Sequence, residues 1–210
     1  MVTEWEYRKF VDTFDFLPNN TYARNQMTDS KGKYINIHYG DVLIKYGAVL
    51  DLERDEVPLL KDGIEITNKK MFAQDGDIII ADTAEDNTVG KMIELFHVGN
   101  RKVVAGLHTI LCRPKYDEFS PCWLGYFMNS TAYHKQLLPF VTGIKVSSIS
   151  KSNIGETVIA IPPKDEQKAI VSVLTDMDDE ISALQKKLDK VRRIKQGMMA
   201  ELLTGRIRLN

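Results

Sequence analysis

The chain has 210 residues, 43% of them hydrophobic and 27% charged, with 28 Lys+Arg against 29 Asp+Glu for a formal net charge of −1. These are ordinary globular proportions, which exclude disordered, fibrous and collagen-like classes. The longest aliphatic run is only Ile78 to Ala81, residues 1–20 carry six charges and no apolar leader core, and Cys112 and Cys122 are the only cysteines, so membrane spans, a signal peptide, a disulfide framework and a four-thiolate zinc site are not expected.

The expected setting is therefore reduced and cytoplasmic. The charge is unevenly placed. Up to Ala160 there are 18 Lys+Arg against 21 Asp+Glu, a net of −3. Asp165 to Glu180 holds six acids against Lys168 alone, and Lys186 to Arg208 holds eight bases against Asp189 and Glu201.

In chain order, short β-branched or aromatic runs between Gly, Asp and Asn turns predict strands. They are Tyr34 to Ile37, Val42 to Lys45, Ile64 to Ile66, Asp77 to Ile80, Met92 to Phe96, Val103 to Val104, His108 to Cys112 and Thr157 to Ile161. Trp123 to Asn129, reaching toward Lys135, predicts a helix, and Ser148 to Asn153 a short helical turn. The fold class is α+β: an irregular, strand-rich domain over residues 1–161, then a long C-terminal α-helix over residues 162–210.

Pro162-Pro163 marks the boundary, since proline stops a strand and favours a helix start. Asp165 and Glu166 then suit the positive end of a helix spanning Asp165 to Leu203. Apolar residues recur at steps of four and three: Ile170, Leu174, Met177, Ile181, Leu184, Leu188, Val191, Met198 and Leu202, with Lys195 at the one broken position. This is a heptad seam. Thr204-Gly205 is a suitable stop. At 1.5 Å per residue such a helix reaches about 58 Å, against a radius of gyration near 15 Å for a domain of that size. It is expected to project as a coiled-coil stalk and bury its seam on another long helix.

Motifs of catalysis are scarce. Gly90-Lys91 lacks the upstream glycine of a P-loop, and there is no Gly-x-Gly-x-x-Gly or Gly-x-Ser-x-Gly. His38, His97, His108 and His134 lack zinc-ligand spacing and read as structural or surface histidines. No catalytic residue, metal or cofactor is expected. The acidic stretch Asp75 to Asn87 reads as a solvated loop; the alternative is a metal-dependent nuclease using Asp75, Asp77, Asp82, Glu85 and Asp86. A second alternative is a coiled-coil scaffold that binds only protein.

Three stretches point to a family. Pro162-Pro163-Lys164-Asp165-Glu166-Gln167-Lys168-Ala169-Ile170, the amphipathic helix and Glu201-Leu202-Leu203-Thr204-Gly205-Arg206-Ile207-Arg208-Leu209 resemble the conserved region of specificity (S) subunits of Type I restriction–modification enzymes. Gly143-Ile144-Lys145-Val146-Ser147-Ser148-Ile149-Ser150 is similar to the segment closing a target-recognition domain there. Gly76 to Ile80, Asp82-Thr83-Ala84 with Val89-Gly90-Lys91, and Val104 to Thr109 resemble its internal landmarks. The resemblance implies a non-catalytic subunit that binds double-stranded DNA and directs two methyltransferase (M) subunits, and through them restriction (R) subunits, to a split target. The usual subunit has two recognition domains and two conserved helices; one of each is found here, which implies a half-size form pairing as a homodimer through antiparallel helices. On that reading the polar and basic candidates for DNA contact are Arg24, Asn25, Gln26, Lys31, Lys33, Lys91, Arg101, Lys102, Thr142, Lys145, Ser147 and Ser148.

Overall fold

The computed structural model describes residues 4–143 and 145–209; Ile144, in the resembling segment named above, lies outside them. The chain forms two compact units, Met1–Lys168 and Ala169–Asn210.

The first unit opens with Glu6–Lys9 (β1), Phe10–Thr13 (α1) and Phe14–Leu17 (β2). A 3₁₀ turn at Arg24–Gln26 precedes Met27–Thr28 (β3), Ile35–Ile37 (β4), Tyr39–Ile44 (α2), Val49–Asp51 (β5) and Leu59–Leu60 (β6). Then come Phe72–Ala73 (β7), Ile78–Ala81 (β8), Thr83–Ala84 (β9), Met92–Phe96 (β10), Val103–Ala105 (β11) and Thr109–Pro114 (β12). The remaining elements are Trp123–Met128 (α3), Thr131–Leu137 (α4), Ser147–Ser148 (β13), Lys151–Gly155 (α5), Val158–Ile161 (β14) and Lys164–Leu202 (α6).

Two five-stranded sheets carry the domain, in the orders β2-β12-β8-β10-β5 and β3-β6-β4-β11-β7. Each contains one parallel pair, β10 with β5 and β11 with β4. Strand β8 lies between β12 and β10 and is buried at all four positions, which is why it reads as an unbroken apolar run. One apolar cluster, including Ile37, Leu50, Ile79, Leu95, Val103 and Leu111, joins residues of both sheets. The parallel pairing has a consequence for the site. Strands β4 and β11 both start beside Lys33 and Lys102 and both end beside His38 and Gly106.

Two buried carboxylates brace this framework. Asp77 is fully buried; Arg113 donates to it twice, from Nε at 2.8 Å and Nη2 at 2.7 Å, and the Gln74 N–H donates at 2.9 Å. Glu94 on β10 accepts N–H groups of Cys122 at 2.7 Å and Gly125 at 2.8 Å, and so caps α3 from the neighbouring sheet. Burial pushes its carboxyl up to about 7, against the opposing pull of these N–H donors. Because the folded value lies above the ordinary 4.5, the group's relative stabilisation is fully present below pH 4.5 and is lost as pH rises through about 7. Urea unfolding of the parent and of Glu94→Gln across that window is expected to show their stability difference falling by about 3 kcal/mol as pH rises. A flat difference contradicts the assignment.

Helix α6 runs unbroken for 39 residues, with Asp165 and Glu166 in its first turn. Gly205, at φ 71°, follows its end. The first turn is locked to the domain by Gln167, which is fully buried. Its Oε1 accepts the Ser120 N–H at 2.8 Å, and its Nε2 donates to the carbonyls of Pro162 at 2.8 Å and Glu118 at 3.1 Å. All the hydrogen-bonding capacity one buried amide needs is met there, which gives the Pro-Pro-Lys-Asp-Glu-Gln stretch a structural meaning. From Ala169 onward no described residue of the helix is buried, and the seam is open to solvent: Met177 is 55% exposed, Ile181 61% and Leu184 57%. Ile194 stands three residues after Val191 and four before Met198, so the stripe continues past Lys195.

Four local expectations are corrected. Val42 to Lys45 is not a strand: it lies in and just after α2, where the His38 ring accepts the Gly40 N–H and the apolar run follows a helical turn. Ile64 to Ile66 is not a strand, and the Ile66 N–H goes to the Tyr34 hydroxyl. The helix from Trp123 breaks at Asn129, whose amide donates to the Met92 carbonyl at 2.7 Å, and Ser130 caps a fresh helix through the Tyr133 N–H. Ser148 belongs to β13, and the following helix begins at Lys151 behind Ser150, which accepts the Asn153 N–H.

Candidate nucleic-acid interface

Four segments distant in sequence meet where β4, β8 and β11 end. The Gly106 N–H donates to the Ile37 carbonyl at 2.8 Å, and the Tyr39 N–H to that of Leu107 at 3.4 Å. The Asp82 N–H donates to the His108 carbonyl at 3.2 Å, and the Ile149 N–H to that of Asp82 at 2.9 Å. A Cβ on Gly106 would lie 2.9 Å from the Asn36 amide and from the Ile37 carbonyl, so only glycine lets these segments close up.

The hairpin carrying Thr142, Lys145, Ser147 and Ser148 joins this rim. Thr142 and Ser148 exchange backbone hydrogen bonds at 3.0 and 2.7 Å, and Ser147–Ser148 pairs with Thr83–Ala84. Gly143, at φ 113°, makes the turn against the Val146 carbonyl. Lys145 and Ser148 are exposed. On the other flank, Arg24 donates to Asp41 on α2 at 2.7 Å while its side chain stays 54% exposed. Burial, and then the Arg24 guanidinium, hold the His38 imidazole below its ordinary value. Asn25 beside it is exposed, and Gln26 spends its carbonyl on the Ala23 N–H at 3.1 Å.

The other basic candidates sit elsewhere. Lys33 bonds both oxygens of Glu65 and, with Lys102, stands over the Tyr34 ring, at the opposite ends of β4 and β11 from the rim. Lys31 is exposed in the loop before Lys33. Arg101 donates to the carbonyls of His97 and Val98. Lys91 donates to the carbonyls of Leu43 at 3.0 Å and Tyr46 at 2.8 Å, finishing α2, and burial lowers its basicity. Its ammonium is committed to the fold.

The carboxylates weighed for a nuclease do not converge. Asp77 is taken by Arg113, Asp75 accepts the Val98 N–H, Asp86 accepts from Thr88, and Asp82 accepts the Thr83 hydroxyl. Among the described residues no three His, Cys, Asp or Glu side chains gather as metal ligands. Nor is any described helix long and apolar enough to cross a membrane. The rim also contains Tyr39, which no motif singles out, and His108, which the sequence alone gives as a structural or surface histidine. The available signal is the run Gly106-Leu107-His108-Thr109, a tight approach followed by a residue at positive φ.

The type I restriction modification DNA specificity domain, as a sequence family, matches residues 3–193. The chain belongs to that family. The MjaX type I restriction enzyme specificity subunit of Methanocaldococcus jannaschii is 24% identical over 208 residues, covering 96% of this chain and 46% of that protein. Two solved structures share the fold. One is a chain from structural work on the assembly and conformational transition of a type I restriction–modification system, with TM-score 0.60 at 16% identity over 94% of this chain and 45% of that one. The other is the type I S subunit of M. genitalium, with TM-score 0.59 at 14% identity over 94% and 45%. The chain thus spans about half the length of the curated relative, as of these structures.

Proposed function

We propose that this specificity chain supplies one half-site reader for a type I restriction–modification assembly. Two copies pair through antiparallel α6 helices and set their recognition domains over the two parts of a symmetric, interrupted DNA target. M subunits, and R subunits through them, are brought to that address and perform the chemistry. The work is done in the compartment that holds the DNA, the cytoplasm.

The observation that supports this reading is the solvent-open seam of α6 in a chain of this family. Nine apolar positions, at roughly 1.5–3 kcal/mol each when buried, are ample to hold two helices together. Antiparallel pairing sets the acidic start of one helix against the basic end of the other; exposed pairs are worth only about 0–1 kcal/mol each, so they select direction more than strength. Equivalent groove faces recur about every 34 Å along DNA, a spacing that a rigid helix of about 58 Å can hold. The head's net −3 makes it a weak DNA ligand alone, with further phosphate contacts coming from the M subunits. Of the contact candidates, Arg24, Asn25, Thr142, Lys145, Ser147 and Ser148 flank the rim and are favoured. Gln26 and Lys91 are engaged locally, and Lys31, Lys33, Arg101 and Lys102, which lie away from the rim, are less favoured.

The test is an exchange of residues 1–161 with the same region of another family member, followed by methylation-site sequencing in cells that also make the M subunit. The methylated sequence is expected to follow the exchanged domain while the half-site spacing stays with α6. An unchanged target removes the recognition role and favours the protein-binding scaffold.

A further inference from the structure

We propose that His108 reads a base edge and that Asp82 and Tyr39 position its ring; this rests on the DNA-reading role above. His108 has φ 54°, in the left-handed region that non-glycine residues rarely enter. The turn aims a side chain that is still 49% exposed. Two groups flank the imidazole. Its Nδ1 faces Asp82 Oδ1 at 3.5 Å; the Asp82 carboxylate is itself held by the Thr83 hydroxyl at 2.8 Å; and the Tyr39 ring meets the imidazole edge-on, centroids 5.4 Å apart. Asp82 and Thr83 also anchor the 142–148 hairpin, so the ring stands between the rim's two polar flanks. An exposed imidazole flanked by a carboxylate on one side and an aromatic ring on another is built for a contact outside the chain.

The orientation selects the chemistry. A hydrogen on Nδ1, the nitrogen that faces the carboxylate, would leave Nε2 of the neutral ring as an acceptor. In the major groove its complements are the exocyclic amino groups of adenine and cytosine, whereas guanine and thymine offer carbonyl oxygens there. Phosphate, which needs a donor, is the poorer match. His108 therefore favours adenine or cytosine at one base pair of each half-site.

The full chain, assembled with its M subunits, is used to select from a pool of random-sequence DNA duplexes. His108→Gly removes the ring and keeps the left-handed backbone at ease. It is expected to leave the spacing of the selected sequence intact, to erase the preference at one base pair per half-site, and to weaken binding to the parent's selected duplex about 10–100-fold with an unchanged salt slope. His108→Asn, also tolerated at positive φ, is expected to change the preferred base at that same pair. Asp82→Ala is expected to blur that preference without touching the others. An unaltered selected sequence overturns the proposal. So does uniform weakening with a salt slope reduced by about one, the mark of a phosphate contact. If the parent assembly itself selects no sequence, the DNA-reading role fails and this inference with it.

Discussion

Glutamate at both Leu184 and Leu188 is expected to leave the chain monomeric at concentrations where the parent is paired. The two positions lie in consecutive turns of the seam, 57% and 43% exposed in the single chain, and face a partner only on pairing. A pair of chains loses four buried leucines. At about 1.5–3 kcal/mol each, the loss is at least about 6 kcal/mol, or about 10⁴-fold in the dissociation constant, before the repulsion of four buried carboxylates. Sedimentation or light scattering measures it, and circular dichroism should still report a folded domain, because no described residue of α6 beyond Lys168 is buried. Target methylation should disappear with the pairing. A double variant that remains paired at low micromolar concentration sinks the antiparallel arrangement.

Arg113→Met is expected to destabilise the recognition domain by about 3–5 kcal/mol, the cost of leaving a buried carboxylate without its counter-charge. Asp77 is fully buried and takes two hydrogen bonds from this one guanidinium. Burial holds its carboxyl above the ordinary value even with Arg113 beside it, so losing the arginine raises it further. The variant should therefore lose more stability at neutral pH than at acid pH, where Asp77 is protonated. Adding Asp77→Asn should recover much of the loss, since no charge is then buried alone. Denaturant unfolding of the two single variants and the double variant closes the cycle. Additive losses would mean that the pair is not coupled.

The two helix-starting signals met different fates. Pro162-Pro163 followed by Asp165 and Glu166 placed the start of α6 within one residue, because a proline stop, an acidic first turn and a heptad stripe all act locally. Ser130 and Ser150 cap helices just as locally, yet their elements were merged or shifted, because the decisive partners, Met92 and β9, come from elsewhere in the chain. Strand β1, Glu-Tyr-Arg-Lys, carries no apolar alternation and exists because β14 pairs with all four of its residues.

The amino-acid sequence by itself determined the α+β class, the length and apolar stripe of the long helix, and the family resemblance. Each is written in periodicity or in contiguous motifs. Only the tertiary structure decided which polar residues share a surface. It separated Lys33, Arg101 and Lys102 from the hairpin at Thr142 to Ser148, turned Lys91 inward to end a helix, and brought Tyr39, Asp82 and His108 together. The reason is that a parallel strand pair and a crossover set the end at which each loop emerges, and that choice depends on hydrogen bonds between residues many tens of positions apart.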